Sequence, residues 1–190
     1  GQIHMAGGTG YDGVVMAYHG MARYEGKPLK MVRVFFVEKE TVLLLAVRVD
    51  SKVKSIHDLN GKRFHVGTPG AAAEFNTLLL LKAFGVEPKL VHGSLADAVE
   101  MVKEGRAVGF PKYSPGLKGL DASILDVKSA TPVNLISLTD EEVAKAVQTI
   151  PGHIKIVLRE DNPLIKALGQ GAVTSIVMPG IFAVSSELSQ

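Results

Sequence analysis

Strand-like runs alternate with helix-like segments through the middle of this chain, and that alternation constrains the fold more than any other feature. Met31–Val37 and Thr41–Val49 are apolar and β-branched, joined by the charged Glu38-Lys39-Glu40. The second run is apolar at both alternating sets of positions, the pattern of a strand covered on both faces. Ser55–Gly61 reads as one helical turn, with Ser55 as cap, Asp58 three residues on and Gly61 as stop. Lys62–Val66 is then a strand, followed by a turn and a helix from Ala71 to Phe84 that Gly85 ends. A strand over Lys89–His92, a helix from Ser94 to Gly105 and a strand over Arg106–Phe110 continue the series. Short connections with this alternation predict an α/β fold, a sheet with helices on both faces.

Outside that core the expectations are simpler. Ile3–Ala6 is a short strand, leading through a glycine-rich turn to a helix over Tyr11–Tyr24 that Gly26-Lys27-Pro28 breaks. Pro111-Lys112-Tyr113-Ser114-Pro115 is expected to be a turn, and Thr139 with Glu142 opens a helix through Gln148. The last apolar stretch, Thr174–Val184, carries a break at Pro179-Gly180.

Composition excludes several functions. The 21 basic and 19 acidic side chains balance to +2 and are scattered singly, and with no tryptophan and four tyrosines there is no evident base-stacking surface, so nucleic acid is not an expected partner. The absence of cysteine removes disulfides, thiolate metal sites and a cysteine nucleophile. It suits an oxidising, extracytoplasmic compartment, and it fits many cytosolic domains as well. No apolar run reaches the ~20 residues that span a bilayer. The N-terminal Gly1-Gln2-Ile3-His4 has no signal-peptide pattern, and its abrupt start reads as that of a fragment.

In α/β sheets, ligands bind beyond the carboxyl ends of strands, at helix N-termini. The loops after Ala6, Val66 and Phe110 are therefore the places to look. Gly67-Thr68-Pro69-Gly70 leads into Ala71-Ala72-Ala73, where small residues let a ligand approach backbone amides that favour an anion. Pro69 has no amide hydrogen, so Gly70, Ala71, Ala72 and Ala73 supply the donors, with Glu74 an early-turn acid complementing the helix dipole. Lys112 and Tyr113 follow a strand and can present a charge and a hydroxyl to the same cleft. Gly8-Thr9-Gly10-Tyr11-Asp12-Gly13 fits a dinucleotide pattern, but Asp12 would set a negative charge beside the pyrophosphate and Glu38 lies beyond the usual acidic position. The six histidines show no metal-binding spacing. No nucleophile–base pair, metal set or cofactor motif stands out, so catalysis is not expected.

Val47-Arg48-Val49-Asp50-Ser51, then Lys54-Ser55-Ile56-His57-Asp58-Leu59-Asn60-Gly61-Lys62-Arg63, then Val66-Gly67-Thr68-Pro69-Gly70, resemble extracytoplasmic solute-binding proteins of type II topology. The closer resemblance is to the TAXI family, solute receptors of TRAP transporters, in which a hinge strand, a short turn and a V-G-x-P-G loop occur in this order. Glu74 and Asn76, the Gly7–Gly20 start, and Leu95-Ala96-Asp97-Ala98-Val99 extend the likeness along nearly the whole chain. It implies a two-lobed, periplasmic binding protein type II-like fold with mixed sheets covered by helices and an incomplete lobe I. Residues 1–48 would hold part of lobe I and the first hinge strand, 49–174 lobe II, and 175–190 the second hinge strand and the return to lobe I. The implied function is periplasmic capture of a small, anionic, carboxylate-bearing solute, an organic acid or amino acid, for membrane permease subunits of a TRAP transporter. The anion would sit on Gly70–Ala73 with Thr68, Lys112 and Tyr113, while Thr9 and Tyr11 close from the other lobe, and a homodimer would cover exposed sheet edges. Ala71 and Ala73 replace hydroxyls of the family's loop, Gly10-Tyr11 stands where Gln-Ser is usual, and Pro111 replaces an aromatic. Backbone amides therefore become the main expected contacts. The alternatives are a ligand-sensing domain of a regulator or receptor, or a nucleotide-dependent enzyme using Gly8–Gly13.

Overall fold

A computed structural model describes residues 5–115, 117 and 119–187. In chain order the elements are β1 (Met5–Gly10), α1 (Tyr11–His19), β2 (Val32–Arg48), β3 (Arg63–Gly67), α2 (Ala72–Phe84), β4 (Lys89–His92), α3 (Leu95–Lys103), β5 (Gly109–Pro115), α4 (Ala122–Ala130), β6 (Val133–Leu135), α5 (Asp140–Thr149), β7 (Ile154–Leu158), α6 (Pro163–Leu168) and β8 (Val173–Ser185). The larger sheet runs β1-β8-β2-β5, with β6 also on β2 and β7 on β8, all antiparallel. The smaller one is a parallel β3–α2–β4 unit. It abuts the start of β5, where the Val108 amide donates to the Arg63 carbonyl at 2.8 Å.

Strand β2 organises the fold. Its alternating residues serve two cores: Val42, Leu44 and Ala46 pack with α3, α4 and α6, while Leu43, Leu45 and Val47 pack with α2 and α5. That is why the stretch is apolar at every position, and residues 42–47 are all buried. The same strand's first half is different, since Val34, Phe35, Phe36 and Val37 are exposed. Phe36 stacks on Phe182 of β8 at 4.4 Å between ring centres. At the other end, Arg48 donates to the last carbonyls of α3, Val102 O at 2.7 Å and Lys103 O at 3.0 Å, and pairs with Asp50.

Several expectations need correction. Glu38-Lys39-Glu40 does not separate two strands. The chain stays extended through it, and irregular registers near Phe36 and Lys39 absorb the bend. Pro179-Gly180 likewise stays within β8, opposite Glu40 and Lys39. Pro111–Pro115 is strand rather than turn, paired along β2 from Leu45 to Thr41. An outer strand tolerates prolines because an amide facing away from its partner is not needed for the ladder. Helix α1 ends at His19, not Tyr24, because Gly20 takes a left-handed conformation at φ 70°, and Ala22–Tyr24 form a separate 3-10 turn. The first strand runs on to Gly10, past the expected end at Ala6, while Ile3 and His4 lie outside the described residues. The expected capping boxes at Ser55/Asp58, Ser94/Asp97 and Thr139/Glu142 are all formed. Among the described residues no helix is long and apolar enough to cross a membrane.

The two halves of β2 should respond differently to truncation. Leu44→Ala is expected to cost about 2–5 kcal/mol in urea unfolding, and Val37→Ala to stay within about 0.5 kcal/mol. Equal losses would contradict the division of the strand into a buried and an uncovered half.

Candidate functional site

The turn after β3 needs backbone conformations that suit glycine. Gly67 has φ 110° and Gly70 φ 82°, and together they swing the chain from β3 into α2. Beyond that turn lies a cleft of about 370 Å³. Its walls are the end of β3 (His65, Gly67), the loop and first turn of α2 (Thr68, Ala71, Ala72, Ala73), α3 (Leu95, Ala98), β5 (Pro111, Lys112, Tyr113) and the edge of the β1, β2 and β8 strands (Gly10, Thr41, Met178, Gly180). Most of this lining is small or apolar. Among the described lining residues Lys112 is the one lysine or arginine, and none is a carboxylate.

Of the residues expected at a site, Thr68, Ala71, Ala72, Ala73, Lys112 and Tyr113 come together here. Gly70 does not. It lies off the lining, and its amide donates to Glu74 Oε2 at 2.6 Å. The Ala71 amide is also taken, by the Thr68 carbonyl at 3.0 Å. The free donors are thus the first-turn amides of α2, from Ala72 and Ala73, which no side chain caps. Tyr11 is not in the lining either: its ring sits against the turn at Gly152, where an added Cβ would meet Tyr11 Cδ1 at 2.7 Å. Thr9 lies in β1 opposite Ile181, and its side chain is outside the described residues. Glu74 is a local cap and pairs with His92 Nδ1 at 2.8 Å.

Two features have no counterpart in the sequence expectations. His65 is fully buried on the cleft wall. Its Nδ1 accepts the Gly67 amide at 3.1 Å, which places the proton of a neutral ring on Nε2, and Nε2 has no partner. Burial pushes the His65 pKa down, opposed by Asp97 and reinforced by His92. The second feature is a polar chain behind the cleft. Asn76 in α2 donates to Asp12 of α1 at 2.5 Å and to the Tyr113 hydroxyl at 3.0 Å. That hydroxyl is also hydrogen-bonded to His153 Nε2 at 3.0 Å, as the donor when the ring carries its proton on Nδ1. Asp12, Asn76 and His153 are buried, so each bond replaces one to water. Burial raises the Tyr113 pKa, as does the charge of Asp12, against the bond from Asn76. Burial lowers that of His153, against Asp12 and the Ile150 and Pro151 carbonyls. Tyr113 thus presents a neutral phenol whose proton is already committed.

The glycine pattern at Gly8–Gly13 is not a dinucleotide loop. β8 lies between β1 and β2 and pairs antiparallel with both, so the two do not form the adjacent parallel strands of a dinucleotide-binding unit, and Asp12 is buried against Asn76. Among the described residues no group of three histidines or carboxylates is placed to hold a metal.

Both lowered histidines bear on stability. As pH falls below 6.5, the unfolded chain protonates its histidines while buried His65 and His153 stay neutral, so stability present above 6.5 is lost on the way to their lowered folded values. The slope is at most about 1.4 kcal/mol per pH unit for each ring. Urea unfolding at neutral pH and about one pH unit below the unfolded histidine value should show this loss, and a smaller one in His65→Gln. A midpoint that is flat or rises on acidification would contradict the assignment.

Solved structures with a similar arrangement include the periplasmic aliphatic sulphonate binding protein SsuA of Escherichia coli, at 14% identity and TM-score 0.50, matching 97% of this chain and 48% of that one. A Brucella ovis periplasmic binding protein with glutathione bound matches at 11% identity and TM-score 0.48, over 90% of this chain and 45% of its own. The arginine-bound ArgBP of T. maritima, in truncated form, matches at 16% and 0.46, over 94% and 68%. The chain therefore spans about half the length of the first two. It has the α/β fold of periplasmic binding proteins, with mixed sheets covered by helices. The sequence matches the NMT1-like family over residues 6–190, and the chain belongs to that family.

Proposed function

We propose that this chain is the binding part of an extracytoplasmic solute receptor, one that captures a small carboxylate-bearing solute without transforming it. The observation that carries this reading is the cleft at the start of α2, lined both by Ala72 and Ala73, whose amides no side chain caps, and by Lys112, the one lysine or arginine among its described lining residues. Helix amides and a lysine are suited to an anionic group, and the apolar remainder of the lining to a short hydrocarbon body. Thr68 and Tyr113 contribute mainly shape and lone pairs, because Thr68 Oγ1 already donates to the Gly93 carbonyl at 3.0 Å and Tyr113 to His153.

Delivery to a TRAP-type permease, in the manner of TAXI receptors, is the finer proposal. The ordered hinge, turn and V-G-x-P-G loop around Arg48–Gly70 support it. In this reading residues 49–174 form the second lobe, hung on β2 and β8, and the first lobe is the incomplete one. The exposed Val34–Val37 stretch lies in that first-lobe part, where further lobe-I chain or a second copy would pack. The Asp12–Asn76 bond then joins the lobes beside the cleft.

Native mass spectrometry of gently purified protein, followed by calorimetry with organic acids and amino acids, tests the reading. Binding of at least one acid is expected. Ala71→Trp, which fills the cleft, should weaken it by about a hundredfold, and Lys112→Ala by about tenfold or more. No binding across the panel, or affinities untouched by both changes, would overturn it.

A further inference from the structure

We propose that the cleft captures its acid together with a proton, and that His92 is the residue that takes the proton up. This inference rests on the carboxylate-binding reading of the cleft and adds the control of that site by pH. Its basis is a conflict of charge. Glu74 lies in the first turn of α2 beside Ala72 and Ala73, and its Oε2 accepts the Gly70 amide at 2.6 Å. A bound carboxylate would share that helix N-terminus with the carboxylate already there, within about one 5.4 Å turn along the axis. Like charges this close oppose one another even where solvent screens them in part.

His92 is placed to lift that opposition. Its Nδ1 meets the second oxygen of Glu74, Oε1, at 2.8 Å, and its side chain is 41% exposed, so protons reach it from solvent. A neutral ring can donate this bond and leave the pair negative, whereas a protonated ring cancels the carboxylate. The next residue ties the same place to the binding loop. The Gly93 amide donates to the Gly67 carbonyl at 3.1 Å, and Thr68 Oγ1 to the Gly93 carbonyl at 3.0 Å.

Among the described residues, the elements packed at this end of β4 also bring His65 of β3 and Asp97 of α3, both beside Gly93. Burial lowers the His65 pKa, against Asp97 and with His92, so this ring charges later than an exposed one as pH falls. Asp97 is held by the Ser94 amide and hydroxyl at 2.8 and 2.7 Å. Arg63 and Lys89 lie at the far end of the strand pair. His92 is therefore the group beside α2 whose charge changes near neutral pH. A proton there favours the anion, and by reciprocity a bound anion draws the proton in. Affinity thus rises as pH falls through the histidine range.

Calorimetry with pyruvate, isocaproate, succinate and glutamate at about pH 6 and about pH 8 tests the coupling, since all four keep their carboxylates ionised at both values. An acid that binds should do so about threefold or more tightly at the lower pH. Near the midpoint of that range, its binding heat should vary with the ionisation enthalpy of the buffer, which reports proton uptake. His92→Gln should remove both effects. Glu74→Gln, which can still accept the Gly70 amide, should bind at about pH 8 as tightly as the unmodified protein at about pH 6. His57→Gln, which breaks the comparable pair with Glu142 on α5, should behave as the unmodified protein does. Binding that ignores pH, or proton uptake that survives His92→Gln, overturns the proposal and leaves the carboxylate site standing. If none of the four binds, the carboxylate reading falls as well. Absence of proton uptake by the unmodified protein overturns the coupling even where the variants do not fold.

Discussion

The burial of both faces of β2 between Val42 and Val47 is the constraint on which the rest of this structure depends. Each face carries its own helical layer, so a single strand ties the two cores together. Every other strand of the larger sheet except β1, β7 and part of β8 is placed by pairing with it. Through β5 it also places Lys112 and Tyr113 opposite Leu44 and Leu43, which fixes one wall of the cleft. The opposite wall comes from the β3–α2–β4 unit, whose helix starts where β3 ends. A rigid strand pair and a helix N-terminus thus meet at one place, which is how open α/β folds generate binding sites.

Behind that meeting point the structure buries polar groups in a connected set. Asn76 uses both hydrogens of its amide nitrogen, on Asp12 and Tyr113, and Tyr113 passes its own to His153. These bonds join α1, α2, β5 and the residues before β7. They hold the Tyr113 ring against the cleft while removing its hydroxyl hydrogen from ligand binding. Among the described residues, buried atoms without a protein partner occur both at the cleft wall, His65 Nε2, and behind it, Asn76 Oδ1 and His153 Nδ1.

Much of the fold was legible because it is locally encoded. Ser94/Asp97 and Thr139/Glu142 announce their helices, Gly85 ends one, and the doubly apolar Val42–Val47 announces a covered strand. The α2 loop was legible for the same reason. What escaped was decided by partners distant in sequence. Pro111 and Pro115 read as a turn until β2 is available to pair with them. The helix α4, the strands β6 and β7, and α6 went unassigned, although Asp121 and Asn162 cap the two helices through side-chain bonds. Asp12, Asn76 and His153 carry no shared motif, because three different parts of the chain bring them together. His65 did leave a trace: a histidine within the otherwise apolar Phe64-His65-Val66 run sits where only a bonded or functional ring is tolerated. Gly70 shows the limit of loop reading, since a donor legible from its position is consumed by the adjacent Glu74.

The central claim is that the first-turn amides of α2 meet the ligand's anionic end. Amide-resolved NMR during titration with an organic acid that binds tests it most directly. The account predicts that the Ala72 and Ala73 resonances shift with the same saturation as the calorimetric signal, while the Glu74-bound Gly70 amide moves little. Saturating shifts confined to another surface, with Ala72 and Ala73 unmoved, would contradict it.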